Sequence, residues 1–199
     1  MDGNARQPWD QFLNPDILRA NLIQASVYIA AFEILEDAIV ERIYDFYVVG
    51  YRKAGISGIV SDTQYNCEVL NLNKSPIYAS LQWLKNAEAI VDSDILMFTR
   101  VKQCRNKIAH EMDHILDMGL PPEFADCFGE IVLLLDKIER WWIINVEIPT
   151  SPDTVTEDIN DEDVTPGGVL LVRVLLDIAL GSEDASRYYY DRLKHPSRT

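Results

Sequence analysis

The stretch that decides the fold is NPDILRANLIQASVYIAAFEILEDAIVERIYDFYVVG, residues 14–50. Its apolar residues recur at spacings of four and three, the period of one face of an α-helix. Asn14 followed by Pro15 is typical of a helix start, because Asn accepts backbone hydrogen bonds at the N-cap and Pro suits the first turn. The pattern predicts a long amphipathic helix that ends near Gly50, with one acidic residue, Glu36, in its apolar row.

Turn residues divide the rest of the chain into further segments. Residues 55–74 contain Gly, Ser, Asp and Asn without a clear period, and they predict a long loop. The sequence GLPP at residues 119–122 is a strong helix stop. Further helices are predicted over about residues 75–89, 92–118, 123–142, 169–180 and 181–194.

These segments predict an all-α fold, an antiparallel bundle of four to five main helices in a single domain, residues 1–199. We place the core at about residues 14–148 and an acidic loop at 149–168, before a C-terminal helical segment at 169–194. The loop includes Asp153–Asp163 and contains no basic residue. Its charge suggests a further hypothesis, that it folds over the basic residues 100–107 as an internal inhibitor.

Composition limits the possible functions. The chain has 199 residues, with 18 basic and 32 acidic side chains and a formal net charge of −14. This charge argues against broad, nonspecific nucleic-acid binding and leaves room for a small focused site. No apolar run approaches the length of a membrane span, and residues 1–6 lack the apolar part of a secretory signal. Three cysteines without a CxxC pair fit a reduced, cytoplasmic setting.

The positive charge is concentrated between residues 100 and 110, where no acidic residue occurs. On a helix of 100° per residue, His110 and Asn106 point away from the apolar arc, whereas Arg105 lies inside it. An unpaired buried charge is costly, so Arg105 needs a partner. We predict that Glu36 is this partner, either to orient Arg105 towards a site or as a purely structural ion pair. The basic residues of this window are Arg100, Lys102, Arg105 and Lys107.

Arg105-Asn106-Lys107-Ile108-Ala109-His110, late in an all-α chain, resembles the Arg-x4–6-His motif of the HEPN superfamily (higher eukaryotes and prokaryotes nucleotide-binding). The resemblance covers the motif, its helix and the helical layout from about Asn14 to Trp142. It implies a HEPN-like bundle and a metal-independent endoribonuclease of toxin–antitoxin, abortive-infection or antiphage defence systems. It also implies a homodimer in which two motifs form one composite RNA-cleavage site, and a possible cognate antitoxin or defence-system partner.

The residues suit this chemistry without a metal or other cofactor. RNA cleavage needs a base for the 2′-OH, an acid for the leaving 5′-oxygen and a cation for the phosphate. We predict catalytic roles for Arg105, His110 and Asn106, in which Arg105 binds the phosphate and Asn106 donates a hydrogen bond. Substrate binding is assigned to Arg100, Lys102 and Lys107, which would steer the RNA strand. Glu36 is assigned the role of orienting Arg105.

Two alternatives remain open at this stage. The first is a catalytically inactive HEPN-like binding or regulatory protein, which the acidic net charge favours. The second is a zinc metallopeptidase, because His110-Glu111-Met112-Asp113-His114 is a literal HExxH, with His110 and His114 as ligands and Glu111 as the base. The zinc reading needs a third ligand, for which Glu130 and Glu139 are available by sequence.

Overall fold

The helix predicted over residues 14–50 forms and runs slightly further: α1 spans Pro15–Lys53. The Asn14 Oδ1 accepts a hydrogen bond from the Asp16 backbone N–H at 3.0 Å, which confirms the predicted cap. The computed structural model describes residues 13–53, 58–151 and 164–194. Its other helices are α2 (Gly58–Glu68), α3 (Pro76–Asn86), α4 (Asp92–His110), α5 (Met112–Met118), α6 (Phe124–Trp142), α7 (Gly167–Leu180) and α8 (Glu183–Lys194).

These described ranges contain no β-strand, so the predicted all-α class is confirmed. Within the same ranges, no helix combines the length and the apolar character needed to cross a bilayer. The segments predicted as helices near residues 75, 123, 169 and 183 all form. The structure therefore confirms the coarse helical layout. It differs from the prediction in two places, the segment over residues 55–74 and the helix predicted over residues 92–118.

The predicted loop over residues 55–74 is wrong, because α2 and a short 3-10 turn, Leu70–Leu72, occupy most of it. The α2 sequence is rich in residues of low helix propensity, which is why the pattern indicated a loop. Tertiary contacts stabilise the helix instead. The Tyr65 ring lies 5.9 Å from that of Tyr47, and the Tyr47 hydroxyl donates a 2.6 Å hydrogen bond to Glu68.

The apolar face of α1 forms the centre of the core and packs against every helix from α2 to α7. Helices α1 and α6 run parallel: Tyr28 meets Phe124 at the start of α6, and Phe46, further along α1, meets Trp142 at the end of α6. Helix α4 runs antiparallel to α6, since Asp94 pairs with Lys137 at one end. The predicted antiparallel packing is therefore present between these two helices.

The helix predicted as continuous from residue 92 to 118 is interrupted at Glu111, which has φ −112° and ψ 29°. Helix α4 therefore ends at His110, and α5 begins at Met112. The changed direction buries Ile115 and brings its carbonyl oxygen within 3.3 Å of the Asn21 amide on α1. The predicted stop after Met118 is confirmed, because Gly119 has φ 87°, a conformation that glycine adopts without strain.

Helix α6 carries its predicted apolar seam into a cluster of aromatic rings at its C-terminal end. Trp142 is buried and stacks on Trp83 with ring centroids 5.8 Å apart. The chain then continues in a π-helical stretch, Ile143–Glu147, and a last turn, Ile148–Thr150. Residues 152–163, which include the acidic segment Asp153–Asp163 and its proposed inhibitory role, lie outside the described residues.

A buried carboxylate holds the start of α7. The Gly168 N–H donates to Glu139 Oε2 at 2.8 Å, and Arg42 Nη1 lies 3.8 Å from Glu139 Oε1. The Glu139 side chain is only 10% exposed, so these two contacts satisfy a charge with little access to water. Arg140 of α6 adds a hydrogen bond to the Val164 carbonyl oxygen at 2.7 Å. Together these contacts attach the start of α7 to α1 and α6.

We expect Gly168→Ala to lower the free energy of unfolding by about 1–3 kcal/mol, the usual cost of overpacking a filled site. A Cβ atom at residue 168 would lie 2.5 Å from Glu139 Oε1, and that carboxylate cannot move without losing its partners. Urea denaturation followed by circular dichroism measures the change.

Gly167→Ala is the matched control, because nothing lies within 4 Å of a Cβ atom there. We expect its stability to change by less than about 0.5 kcal/mol. Equal unfolding midpoints for the two variants would contradict the proposed role of Glu139.

Candidate functional site

Arg105 lies in the middle of α4 and is held on the side that faces α1. Its Nη2 donates to Glu33 Oε1 at 2.8 Å, and the guanidinium carbon lies 5.7 Å from the centroid of the Phe32 ring. The side chain is 32% exposed, and its Nε is buried without an acceptor among the described residues. The prediction that Arg105 belongs to the packed side of the helix is confirmed.

The predicted partner of Arg105 was wrong by one helical turn, because Glu33 and not Glu36 forms the ion pair. The register of the two helices explains this difference. They run in opposite directions here, so a residue one turn earlier on α4 meets a residue one turn later on α1. Lys102 consequently has the largest favourable electrostatic effect on Glu36, ahead of that of Arg105.

Glu36 is a partly buried carboxyl group whose pKa is raised. Burial is the main cause, and the nearby negative charge of Glu33 adds to it. The positive charges of Lys102 and Arg105 oppose the rise without cancelling it. Glu36 therefore influences the electrostatics around Arg105 without forming the predicted ion pair with it.

The other basic residues of α4 are also engaged within the chain. Arg100 Nη2 lies 2.5 Å from Glu130 Oε1, and Lys107 Nζ lies 3.0 Å from Glu123 Oε1. The Lys102 ammonium lies 5.2 Å from the centroid of the Tyr78 ring. Three of the four cations predicted to bind or hold RNA thus have a carboxylate partner on α1 or α6.

His110 and Asn106 lie on a different side of α4. His110 is the exposed last residue of the helix, and Asn106 is half-buried. Among the described residues, no side-chain hydrogen bond or ion pair engages either of them. His110 is five positions after Arg105 on the helix, which places the two residues about 140° apart around the axis. One chain therefore does not direct Arg105 and His110 to the same point.

The HExxH histidines lie on either side of the helix interruption. His110 ends α4 and His114 belongs to α5, and both are exposed. The two candidate third ligands have other roles, since Glu130 pairs with Arg100 and Glu139 binds the Gly168 N–H. No group of three or more His, Cys, Asp or Glu side chains within residues 13–53, 58–151 and 164–194 is arranged to hold a metal ion. The described part of the chain thus supplies no third ligand for zinc.

The cysteines offer no nucleophile near these residues. Cys104 and Cys127 are buried, and neither forms a disulfide. Burial raises the pKa of the Cys127 thiol to about 12, and the neighbouring Cys104 contributes to the rise. A thiol in such a setting stays protonated and unreactive at neutral pH.

Comparison with models of known families, with characterised proteins and with solved structures yields no match. The resemblance to the HEPN superfamily therefore rests on residues 105–110 and on their helical context. Sequence reasoning did not predict that Glu33, Glu123 and Glu130 pair with basic residues of α4. Their partners become evident only once the relative register of α1, α4 and α6 is known.

The raised pKa of Glu36 gives a test of its environment. Folding favours the protonated carboxyl, so its contribution to the free energy of unfolding is present at low pH and is lost as pH rises through the raised pKa. Glu36→Gln stays neutral at every pH. We expect this variant to be more stable than the wild type at pH 7, with the difference shrinking as pH falls through the raised pKa and disappearing below the ordinary Glu pKa of about 4.3.

Urea denaturation at several pH values measures the effect. Asp45→Asn, at an exposed position further along α1, is the control for removing a carboxylate from this helix. A Glu36→Gln variant that is less stable than the wild type at pH 7 would show that the carboxylate is instead stabilised by Lys102 and Arg105.

Proposed function

We propose that this protein is a metal-independent endoribonuclease of the HEPN type that acts as a homodimer. One observation carries the proposal. Within a single turn and a half of α4, Arg105 is anchored by Glu33 and Phe32, while His110 ends the helix exposed and unengaged by the described residues. An anchored cation and a free imidazole are the two components that phosphodiester cleavage needs.

The proposed reaction is an internal transfer at phosphorus. One His110 accepts the proton of the ribose 2′-OH, and the 2′-oxygen forms a bond to the phosphorus atom. The bond to the 5′-oxygen breaks, and a second imidazole donates a proton to that oxygen. The products are a 2′,3′-cyclic phosphate and a free 5′-OH. The second His110 comes from the partner, which supplies the base and the acid from two copies of one residue.

The remaining predicted residues have supporting roles in this scheme. Glu33 occupies one Nη of Arg105, which leaves other guanidinium donors for the phosphate oxygens. Asn106, adjacent to Arg105 on α4, supplies a hydrogen bond to the phosphate. Arg100, Lys102 and Lys107 lie along the approach of the strand. In this scheme the Arg105 and Asn106 donors stabilise the negative charge that develops on the phosphate in the transition state. They do so at little cost because they are held in place before the substrate binds.

The biological role follows from the resemblance alone. We propose a toxin or antiphage defence component that acts on RNA in the cytoplasm, with an antitoxin or a defence-system protein as a regulatory partner. An acidic protein suits such a role only if its substrate contacts are confined to a small surface, because the net charge of −14 repels RNA elsewhere.

A second candidate function, a catalytically inactive binding or regulatory protein, is favoured by the ion pairs of α4. Arg100, Arg105 and Lys107 are each neutralised by a carboxylate of the same chain. An RNA phosphate would have to compete with Glu130, Glu33 and Glu123 for these cations. A protein that has lost catalysis can keep such pairs without penalty.

Cleavage of labelled RNA in the presence of EDTA tests the proposed function. We expect cleavage by the wild type and a loss of about 100-fold or more in His110→Ala, because positioned general acid–base groups contribute rate factors of this size. Arg105→Ala and Asn106→Ala should also be slower. The released ends, analysed for a 2′,3′-cyclic phosphate, identify the reaction.

His114→Ala is the matched control, since His114 is an exposed histidine four residues away on α5. We expect it to cleave like the wild type. Equal loss in both histidine variants, together with abolition by EDTA, would support the zinc reading. RNA left intact by wild-type protein with native circular dichroism would overturn the ribonuclease and favour the inactive alternative.

A further inference from the structure

Helix α7 is apolar on two opposite sides, and the described residues cover only one of them. Val169 and Val172 are buried against α1 and α6, and Leu176 packs beside them. On the other side Leu170, Leu171 and Ile178 are 46%, 48% and 51% exposed. Between Val169 and Leu180 the only polar residues are Arg173 and Asp177. A helix that is apolar all round is normally buried all round.

The exposed side has the spacing of a helix–helix seam. Leu171, Val174 and Ile178 recur at intervals of three and four residues, which aligns them along one line of the surface. At 100° per residue this line lies opposite Val172 and Leu176. We call Leu170, Leu171, Val174 and Ile178 the outer face of α7.

The two polar residues of α7 identify the occupant of the outer face. Arg173 and Asp177 both flank it on the same side, about 40° apart around the axis. Arg173 is exposed and has no ion-pair partner among the described residues. Asp177 accepts a hydrogen bond from the Tyr189 hydroxyl at 2.7 Å through Oδ2, which leaves Oδ1 available. The surface complementary to this edge therefore carries an acid opposite Arg173 and a base opposite Asp177.

A second copy of α7 meets this requirement in one arrangement. When two identical helices pack antiparallel about a two-fold axis, the same flank of each copy lies on the same side of the interface. With the axis at Leu175, midway between the two charges, each Arg173 faces the Asp177 of the other copy. In a parallel pair, the flank that carries Arg173 and Asp177 would instead face the uncharged flank of the other copy. Neither charge would then have a partner across the interface.

We propose that the outer face of α7 is a homodimer interface in which two copies of α7 pack antiparallel. The contact buries the exposed leucines and isoleucine and forms two symmetric ion pairs at its edge. The chain's own residues 152–163 do not suit this face, since they are mainly acidic and polar. An anionic lipid surface does not suit it either, because a net charge of −14 is repelled there.

This interface is independent of ribonuclease activity. Its residues belong to α7, whereas the proposed RNA site uses residues of α4. The interface is tested by molecular mass and the RNA site by cleavage, so either proposal can fail without the other. If both contacts form through separate surfaces, the assembly contains at least four chains.

The molecular mass in solution tests the outer face directly. We expect sedimentation equilibrium of the wild type to give twice the chain mass of 22.7 kDa, or a higher even multiple. Leu171→Glu combined with Ile178→Glu should halve the observed mass. A wild-type mass of one chain at about 100 μM, where a micromolar dimer is formed, would overturn the proposal.

Leu133→Glu is the matched control, because Leu133 is an exposed leucine on α6, 64% accessible. Its helical neighbours Gly129, Glu130, Asp136 and Lys137 form no apolar seam. We expect this variant to keep the wild-type mass. An unchanged mass in the α7 double variant, with native circular dichroism, would also overturn the proposal.

A charge-reversal pair tests the orientation and does not depend on the double variant folding. Arg173→Asp and Asp177→Arg should each weaken self-association about tenfold, because two ion pairs per dimer become repulsive contacts. Mixing the two purified variants should restore dimers, since every contact in the mixed dimer then joins opposite charges. If Arg173 and Asp177 paired only with each other within one helix, mixing the two variants could not restore that pair.

Tyr189→Phe controls for the hydrogen bond that Asp177→Arg also removes, and we expect it to leave the dimer intact. A mixture that associates no better than the separate variants would exclude the antiparallel contact.

Discussion

The apolar face of α1 is the constraint on which the rest of the structure depends. It is the one surface that α2, α3, α4, α5, α6 and α7 all contact, so each of these helices is placed by how it covers α1. Tyr28 illustrates this role: its ring packs against Phe124, and its hydroxyl donates to the Val101 carbonyl oxygen at 2.9 Å. A single buried side chain thereby links α1 to both α4 and α6.

The helices that bury a regular apolar row could be predicted from the sequence, because the period of the row is itself the signal. This held for α1 and α6. The signal failed for α2, whose residues favour a loop locally and whose helix depends on contacts with Tyr47. It failed again at Glu111, where the chain turns to bury Ile115 against α1. Both failures come from tertiary contacts that local spacing does not encode.

The candidate site could be predicted only in part for a similar reason. The separation of Arg105 from His110 follows from helical geometry and was evident in the sequence. The choice of Glu33 over Glu36 depends on the axial register of two helices that are distant in the chain. A shift by one turn changes the ion-pair partner while leaving the apolar pattern of both helices the same. Charge partners are thus less predictable than the core that positions them.

The concentration of basic residues on α4 has a structural role whatever its chemistry. In an acidic chain, these basic residues form ion pairs with Glu33, Glu123 and Glu130. The pairs link α4 to α1 and to the start and middle of α6. Each pair is open to solvent, which screens the attraction, so each contributes little to the free energy of unfolding. Their main effect is on the register of packing, because a shift along the helix axis would separate these three sets of partners.

The attachment of α7 through Glu139 bears on how the chain folds. Helix α7 lies far along the chain from α1, and the surface of α1 that Val169 and Val172 cover is apolar. During synthesis α1 emerges long before α7, so this strip of α1 stays uncovered while α2 to α6 assemble. Until Glu139 receives the Gly168 N–H and α7 docks, this apolar strip is therefore open to contacts with other chains.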